Sequence, residues 1–302
     1  MPETVLVTGG AGFIGRAVTT ELLRRGNEVR VLDSLIEQVH GDSEPEDFPR
    51  DAELVRGDIR NKDVVARSLK GVDSVIHLAA EVGVGQSMYE PERYTSVNET
   101  GSAVLFEALI DQPVRRVVTA SSMSIYGEGL YEDADGNLVE NAERAARVSA
   151  ADGWDPKDAQ GRALRPVPTP EWKQPSLASI YALGKYVQER QTLIMTQAYG
   201  MEGTCLRLFN VYGPGQALSN PYTGVLAIFA SRFLNNKAPA IFEDGLQQRD
   251  FVSVYDVARA CRLAMEVPDA SGRAFNIGSG RNYSVMEVAA LCAKARRTTS
   301  RG

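Results

Sequence analysis

Thr4-Val5-Leu6-Val7-Thr8-Gly9-Gly10-Ala11-Gly12-Phe13-Ile14-Gly15 stands near the start of the chain. Apolar and β-branched residues run through positions 4–8 without a polar interruption, as in a strand buried on both faces. A helical pattern follows from Phe13 to Arg25 and is closed by Gly26. Between the two lies a glycine turn spaced G-x-x-G-x-x-G. Gly9 and Gly12 let the backbone come close to a pyrophosphate, and Gly15 lets the helix pack onto the strand. The helix N-terminus, with Phe13 and Ile14 as its first residues, offers a seat for the phosphate charge.

Strand and helix patterns alternate outward from this unit. Val29–Asp33, Glu53–Arg56, Ser74–Leu78 and Arg116–Ala120 read as strands, with a long helix over Tyr94–Ile110. The alternation predicts an α/β fold with a doubly wound parallel sheet. Asp33 ends the second strand, where a carboxylate accepts hydrogen bonds from ribose hydroxyls and repels a 2′-phosphate. The next residues are Ser34 and Leu35, not arginine or lysine, so NAD is favoured over NADP. Asp58-Ile59 either bounds the adenine, or Asp58 caps the helix beginning at Asn61.

Beyond Tyr126 the periodicity dissolves, leaving an insertion at about residues 128–178 with an acidic turn and a proline-rich run at 165–170. Two readings stand: a solvated surface insertion, or a flap over the site. Regular patterns resume as a helix over Ser179–Tyr199, a strand over Thr204–Leu208 and a helix over Gly224–Asn235. Ser253-Val254-Tyr255-Asp256 and Ser284-Val285-Met286-Glu287 resemble capping boxes. Segments after Phe209 leave and re-enter the first domain, which makes the second lobe smaller and discontinuous. The expected division is residues 1–178 as the nucleotide domain with its insertion, then 179–302 as its remaining elements plus a substrate lobe.

Ser179-Ile180-Tyr181-Ala182-Leu183-Gly184-Lys185 supplies the chemistry. Four residues apart, Tyr181 and Lys185 share a helical face. An ammonium there stabilises a phenolate and makes tyrosine a usable base near neutral pH. Ser122, in Ser121-Ser122-Met123-Ser124-Ile125-Tyr126-Gly127, lies at the end of a strand, where such sheets bind ligands. Its hydroxyl can bond a sugar hydroxyl and relay a proton to Tyr181, although a serine there also serves as a plain cap. The set describes redox chemistry on an alcohol carbon. His77 reads as a satisfied core histidine and His40 as a solvated one.

The chain has 302 residues, 43% hydrophobic and 24% charged, with a net charge of −6. No basic run favours nucleic acid, and no stretch approaches the ~20 apolar residues of a membrane helix. Cys205, Cys261 and Cys292 are dispersed and lack metal-ligand spacing, so reduced thiols and no metal site are expected. The start runs directly into a strand with no charged leader, which fits a cytoplasmic protein.

Several further motifs carry a resemblance. His77-Leu78-Ala79-Ala80, Asn98, Arg207-Leu208-Phe209-Asn210-Val211-Tyr212-Gly213-Pro214, Gln248-Arg249-Asp250-Phe251-Val252 and Phe275-Asn276-Ile277-Gly278 join the residues above. Together they resemble the NAD-dependent nucleotide-sugar epimerase/dehydratase family of extended short-chain dehydrogenases, which has a Rossmann fold. The resemblance makes Ser122, Tyr181 and Lys185 catalytic. It places Gly9, Gly12, Phe13, Ile14, Gly15, Asp33, Asp58, Ile59, Leu78, Ala79, Ala80 and Asn98 around NAD. It places Val84, Ser122, Ser124, Asn210, Val225 and Arg249 around a nucleotide-diphosphate sugar. A homodimer through the helices at about Tyr94–Ile110 and Ser179–Tyr199 is also implied.

In that family, dehydration uses an Asp-Glu pair after the serine position, and decarboxylation a glutamate two residues on. Here Met123 and Ser124 stand there, so the resemblance implies 4-epimerisation through a 4-keto sugar. Glu81–Ser87, Pro166–Glu171 and Gln216–Gly224 look similar to the dTDP-L-rhamnose 4-epimerase branch, with the UDP-glucuronate 4-epimerase branch as rival. A keto-sugar reductase or dehydratase, or an NAD-binding homologue without turnover, are the other readings. The family usually continues past Ala295–Gly302, where a second phosphate-binding arginine is expected.

Overall fold

In the computed structural model, which describes residues 2–41, 48–144, 153–217 and 224–299, seven strands form one parallel sheet. They are β1 (Thr4–Thr8), β2 (Glu28–Asp33), β3 (Glu53–Arg56), β4 (Ser74–His77), β5 (Arg116–Ser122), β6 (Glu202–Leu208) and β7 (Arg273–Ile277). Their order across the sheet is β7-β6-β5-β4-β1-β2-β3. The winding reverses between β1 and β4, which pair Thr8 with His77 at their C-terminal ends. A crevice opens at such a reversal, and ligands enter it.

Helices α1 (Phe13–Arg24), α2 (Lys62–Ser68), α3 (Gly101–Asp111), α4 (Ile180–Ala198), α5 (Val225–Leu234), α6 (Val254–Glu266) and α7 (Val285–Thr299) accompany the strands. Alternate residues of β1 enter different cores, as the two-residue period requires. Val5 and Val7 pack with Leu22 of α1 and Val257 and Cys261 of α6. Leu6 packs on the other face with Val65, Leu105 and Leu109 of α2 and α3. Both faces are therefore covered, which explains the uninterrupted apolar run. Residues 273–277 return to the sheet beside β6.

A third core, with Phe229, Phe251, Val285, Val288 and Ala289, lies outside the main sheet. A small sheet backs it, in which Asn210–Tyr212 runs parallel to Gln248–Ser253 and the latter antiparallel to Asn282–Ser284. Of the two capping motifs, only the one at α7 is reciprocal: Glu287 N donates to Ser284 Oγ at 3.1 Å and Ser284 N to Glu287 Oε2 at 2.7 Å. At α6, Ser253 accepts from Tyr255 N, while Asp256 is one methylene shorter than the glutamate that completes a box.

Two expectations change. The helix expected over Tyr94–Ile110 runs unbroken from Pro91 to Asp111, but it passes through a π-helical turn at Ser96–Thr100 between Pro91–Thr95 and α3. A Cβ at Gly101 would come 2.6 Å from the Ile59 side chain, so close packing against Ile59 demands glycine as α3 begins. The insertion holds structure of its own, with Leu130–Glu132 pairing antiparallel to both Leu138–Val139 and Arg165–Val167. Strands of two or three residues are too short to show a period in sequence. Its return segment is bonded to the chain just after Ser122: Ser176 N donates to Ile125 O at 2.8 Å, and buried Lys173 donates to Tyr126 O at 3.0 Å.

Candidate active site

The glycine turn has two kinds of glycine. Gly9 adopts φ +69°, and a Cβ there would stand 2.8 Å from Ala79 N; a Cβ at Gly15 would stand 2.3 Å from Gly9 O. Both are demanded by the fold. Gly12 is not, since an added Cβ would meet only Gly9 O at 3.4 Å. It faces a cavity of about 380 Å³ at the β1–β4 crevice, within the ~300–1,000 Å³ of small-molecule sites. No side chain caps the N-terminus of α1, so its first N–H groups are left for a ligand. A cradle that a side chain would fill, above uncapped amides, fits a pyrophosphate.

Asp33 closes one end of this cavity. Its Oδ2 accepts from Ala11 N at 3.0 Å and its Oδ1 from Leu35 N at 2.9 Å, so the glycine turn itself aims the carboxylate. His40, expected to be solvated, is buried instead: its Nε2 lies 3.7 Å from Asp33 Oδ1, and it lines the cavity. Burial holds the imidazole below its ordinary range, against the pull of Asp33. Asp58 and Ile59 also line the cavity. Asp58 does not cap the next helix, because the Asn61 side chain accepts from Asp63 N and Val64 N itself. Asp58 instead binds Arg60 through two bonds of 2.9 and 2.5 Å, which hold its carboxyl below the usual range. Arg60, a cavity-wall cation absent from the sequence reading, gave no signal there because its placement depends on Asp58 and Ser96.

Ser122, Tyr181 and Lys185 line the same cavity. Ser122 ends β5, and its Oγ accepts from Ser124 N at 3.2 Å. Ser179 caps α4 by accepting from Ala182 N at 3.1 Å, which starts the helix so that Tyr181 and Lys185 share its inner side. Burial pushes the Tyr181 phenol up, and its hydrogen bond with Ser122 works the other way. Burial brings the Lys185 ammonium down to about 7. Lys185 Nζ lies 2.7 Å from Gln188 Oε1. His77 is a satisfied core residue, bonded to Thr8 Oγ1 at 2.7 Å and Ser102 Oγ at 2.8 Å.

Leu78, Ala79 and Ala80 line the cavity, as do Gly9, Phe13, Ile14 and Gly15. Asn98 is not in that wall. It sits buried in the π turn, where its side chain accepts from Glu81 N at 2.7 Å and donates to Glu81 O at 3.1 Å. It shapes the loop after Ala80 rather than facing the cavity. Of the expected sugar contacts, Ser122 alone lines the cavity. Val84 is exposed, and Val225 packs against the third core. Asn210 donates to Asp250 O at 2.8 Å, and exposed Arg249 donates to Gln248 O at 2.8 Å. The Ser124 hydroxyl is enclosed without a partner. Phe209 and Gln216 join the wall; residues 218–223 of the stretch that Gln216 begins lie outside the described residues.

The model of the NAD dependent epimerase/dehydratase family matches residues 5–145 and 161–278. The chain belongs to this family. A dTDP-L-rhamnose 4-epimerase of Burkholderia thailandensis is 35% identical over 296 residues, covering 96% of this chain and 80% of the relative. The crystal structure of a UDP-glucose 4-epimerase of Thermotoga maritima with UDP-glucose superposes with a TM-score of 0.78 at 33% identity, covering 96% of this chain and 82% of that one. A UDP-glucose 4-epimerase of Thermus thermophilus in complex with NAD gives a TM-score of 0.73 at 32% identity, over 97% and 83% of the two chains. The cofactor of this family member is NAD, which agrees with the glycine cradle and the Asp33 carboxylate. No helix among the described residues is long and apolar enough to cross a membrane.

Proposed function

We propose that this enzyme inverts C4 of a nucleotide-diphosphate sugar and keeps its NAD throughout. The observation that carries the reading is the common cavity of Ser122, Tyr181, Lys185, the glycine cradle and Asp33, with neither Met123 nor Ser124 able to act as an acid. Bound NAD supplies an acceptor for the C4 hydride and the same hydride for its return. Ser122 Oγ holds the 4-hydroxyl, and Tyr181 takes its proton as the C–H bond breaks. Lys185 holds the ribose and offers the charge that favours a phenolate. Tyr181 then gives the proton back to the ketone oxygen once the sugar has presented its other face. Without a carboxylate beside Ser122, the route to elimination has no proton donor of its own.

For the sugar we propose a dTDP-6-deoxyhexose such as dTDP-L-rhamnose, with UDP-glucuronate second. The 35% identity to a dTDP-L-rhamnose 4-epimerase supports that order. We also propose that the elements around the third core form a discontinuous substrate lobe. In this reading, Val84, Ser124, Asn210, Val225 and Arg249 meet the sugar nucleotide when it binds. An NADP-dependent reductase is disfavoured, because Asp33 stands where a 2′-phosphate would lie. Incubating the purified protein with both substrates and reading the C4 configuration by NMR tests this, and retained configuration with both sends the assignment back to the family level. The homodimer is proposed through α3 and α4, where Ile110, Leu183 and Ile194 are exposed; light scattering that gives a monomer mass counts against it.

A further inference from the structure

Behind Lys185, on the side away from the cavity, lies a buried polar chain that the proposed reaction does not use. Lys185, Gln188, His77, Ser102 and Thr8 are all buried. Lys185 Nζ lies 2.7 Å from Gln188 Oε1. An ammonium has three donors and no acceptor, so the amide oxygen must face it and the amide NH₂ must face away. That NH₂ has two hydrogens, and it donates to Ser102 Oγ at 2.8 Å and Ala79 O at 3.3 Å, with His77 Nε2 3.2 Å away. Ser102 in turn donates to Asn98 O in the π turn at 2.6 Å.

The protonation pattern follows from that last bond. Ser102 gives its one hydroxyl hydrogen to Asn98 O, so the 2.8 Å contact of Ser102 Oγ with His77 takes its hydrogen from Nε2, and Nδ1 accepts from Thr8 Oγ1. His77 is held neutral, its pKa lowered to about 3 by burial and by Lys185. The titratable groups around Lys185 are Tyr181 on its own helix, His77 from β4 and Cys205 from β6, with the Glu189–Arg207 pair beyond Cys205. No carboxylate is bonded to the ammonium among the described residues; its bonded partner is the neutral Gln188 amide.

We propose that Gln188 is a positioning residue for the Lys185 ammonium. Its oxygen fixes the direction of Nζ without neutralising it, and its NH₂, anchored to Ser102 Oγ and Ala79 O, keeps the amide from turning over. A carboxylate at this position would hold Lys185 just as firmly but would cancel the charge on which Tyr181 depends. The inference rests on the reading that Lys185 serves Tyr181, so its test includes a measurement that needs no turnover.

That measurement is a pH titration of the Lys185 ¹³Cε resonance in lysine-labelled, NAD-loaded protein, for the wild type, Gln188→Glu and Gln188→Met. In Gln188→Glu the Lys185 midpoint rises by about one pH unit or more, as an opposite charge in contact requires. In Gln188→Met, which keeps the length but removes the acceptor, the midpoint falls. Where C4 inversion is measurable, the pH profile of kcat moves in the same direction for each variant while KM for the sugar stays unchanged. Unchanged midpoints in folded, NAD-loaded variants overturn the proposal, and Gln188→Met decides alone if Gln188→Glu does not fold. A wild type that inverts no sugar overturns the proposed function instead, and the resonance titration still decides on Gln188.

Discussion

Burial and hydrogen bonding pull the Tyr181 phenol in opposite directions, and the proposed reaction asks the ammonium four residues away to favour the phenolate. Tyr181→Phe removes the hydroxyl but leaves the cradle, and exchange at C4 should vanish while NAD stays bound, as absorbance of the denatured protein would report. Ser122→Ala should lower kcat by about 10²-fold or more, read from initial rates. His77 sets a pH dependence. Its folded pKa of about 3 lies below the ordinary 6.5, so between those values the unfolded chain binds one more proton. Stability is therefore lost as pH falls through that window, by about 1.4 kcal/mol per pH unit. Urea unfolding at stepped pH should show this decline, shallower in His77→Asn. At this scale the meeting of Ser122, Tyr181, Lys185 and Asp33 at one cavity was legible, because local spacing marks those positions. Gln188, Arg60 and His40 were not, because their partners arrive from distant segments.

The glycine turn joining β1 to α1 separates what the fold needs from what the ligand needs. Gly15→Ala brings a Cβ to 2.3 Å from a backbone oxygen and should cost about 1–3 kcal/mol by overpacking, seen as a lower urea midpoint. Gly12→Ala meets no such obstacle and should fold like the wild type while losing NAD, checked by circular dichroism beside cofactor content. Six of the seven sheet strands were legible to within one or two residues, because apolar runs mark burial on both faces, while the edge strand Arg273–Ile277 was not read as one. The π turn at Ser96–Thr100 was not legible either, because one extra residue per turn hardly disturbs an apolar pattern. Its cause is tertiary, since Asn98 bonds the Glu81 backbone.

Across the whole molecule, one buried ion pair ties the insertion to the catalytic helix. Arg207 of β6 meets Glu189 of α4 through bonds of 3.0 and 2.7 Å, and donates to Tyr126 Oη at 2.6 Å and Glu171 O at 2.9 Å. Glu189→Gln leaves the guanidinium buried with its countercharge gone and should cost about 3 kcal/mol, again by urea unfolding. The insertion's return segment thus braces the turn after Ser122. Sequence could not show it, because the contacts of Lys173 and Ser176 are with backbone carbonyls that any residues would supply.

The central claim is that hydride leaves C4 and returns to it without passing through solvent. Proton NMR of a C4-invertible nucleotide sugar, incubated in D₂O with the purified protein, measures that directly. The account predicts inversion at C4 with protium kept at both C4 and C5. Deuterium at C5, or a dehydrated product, would contradict it.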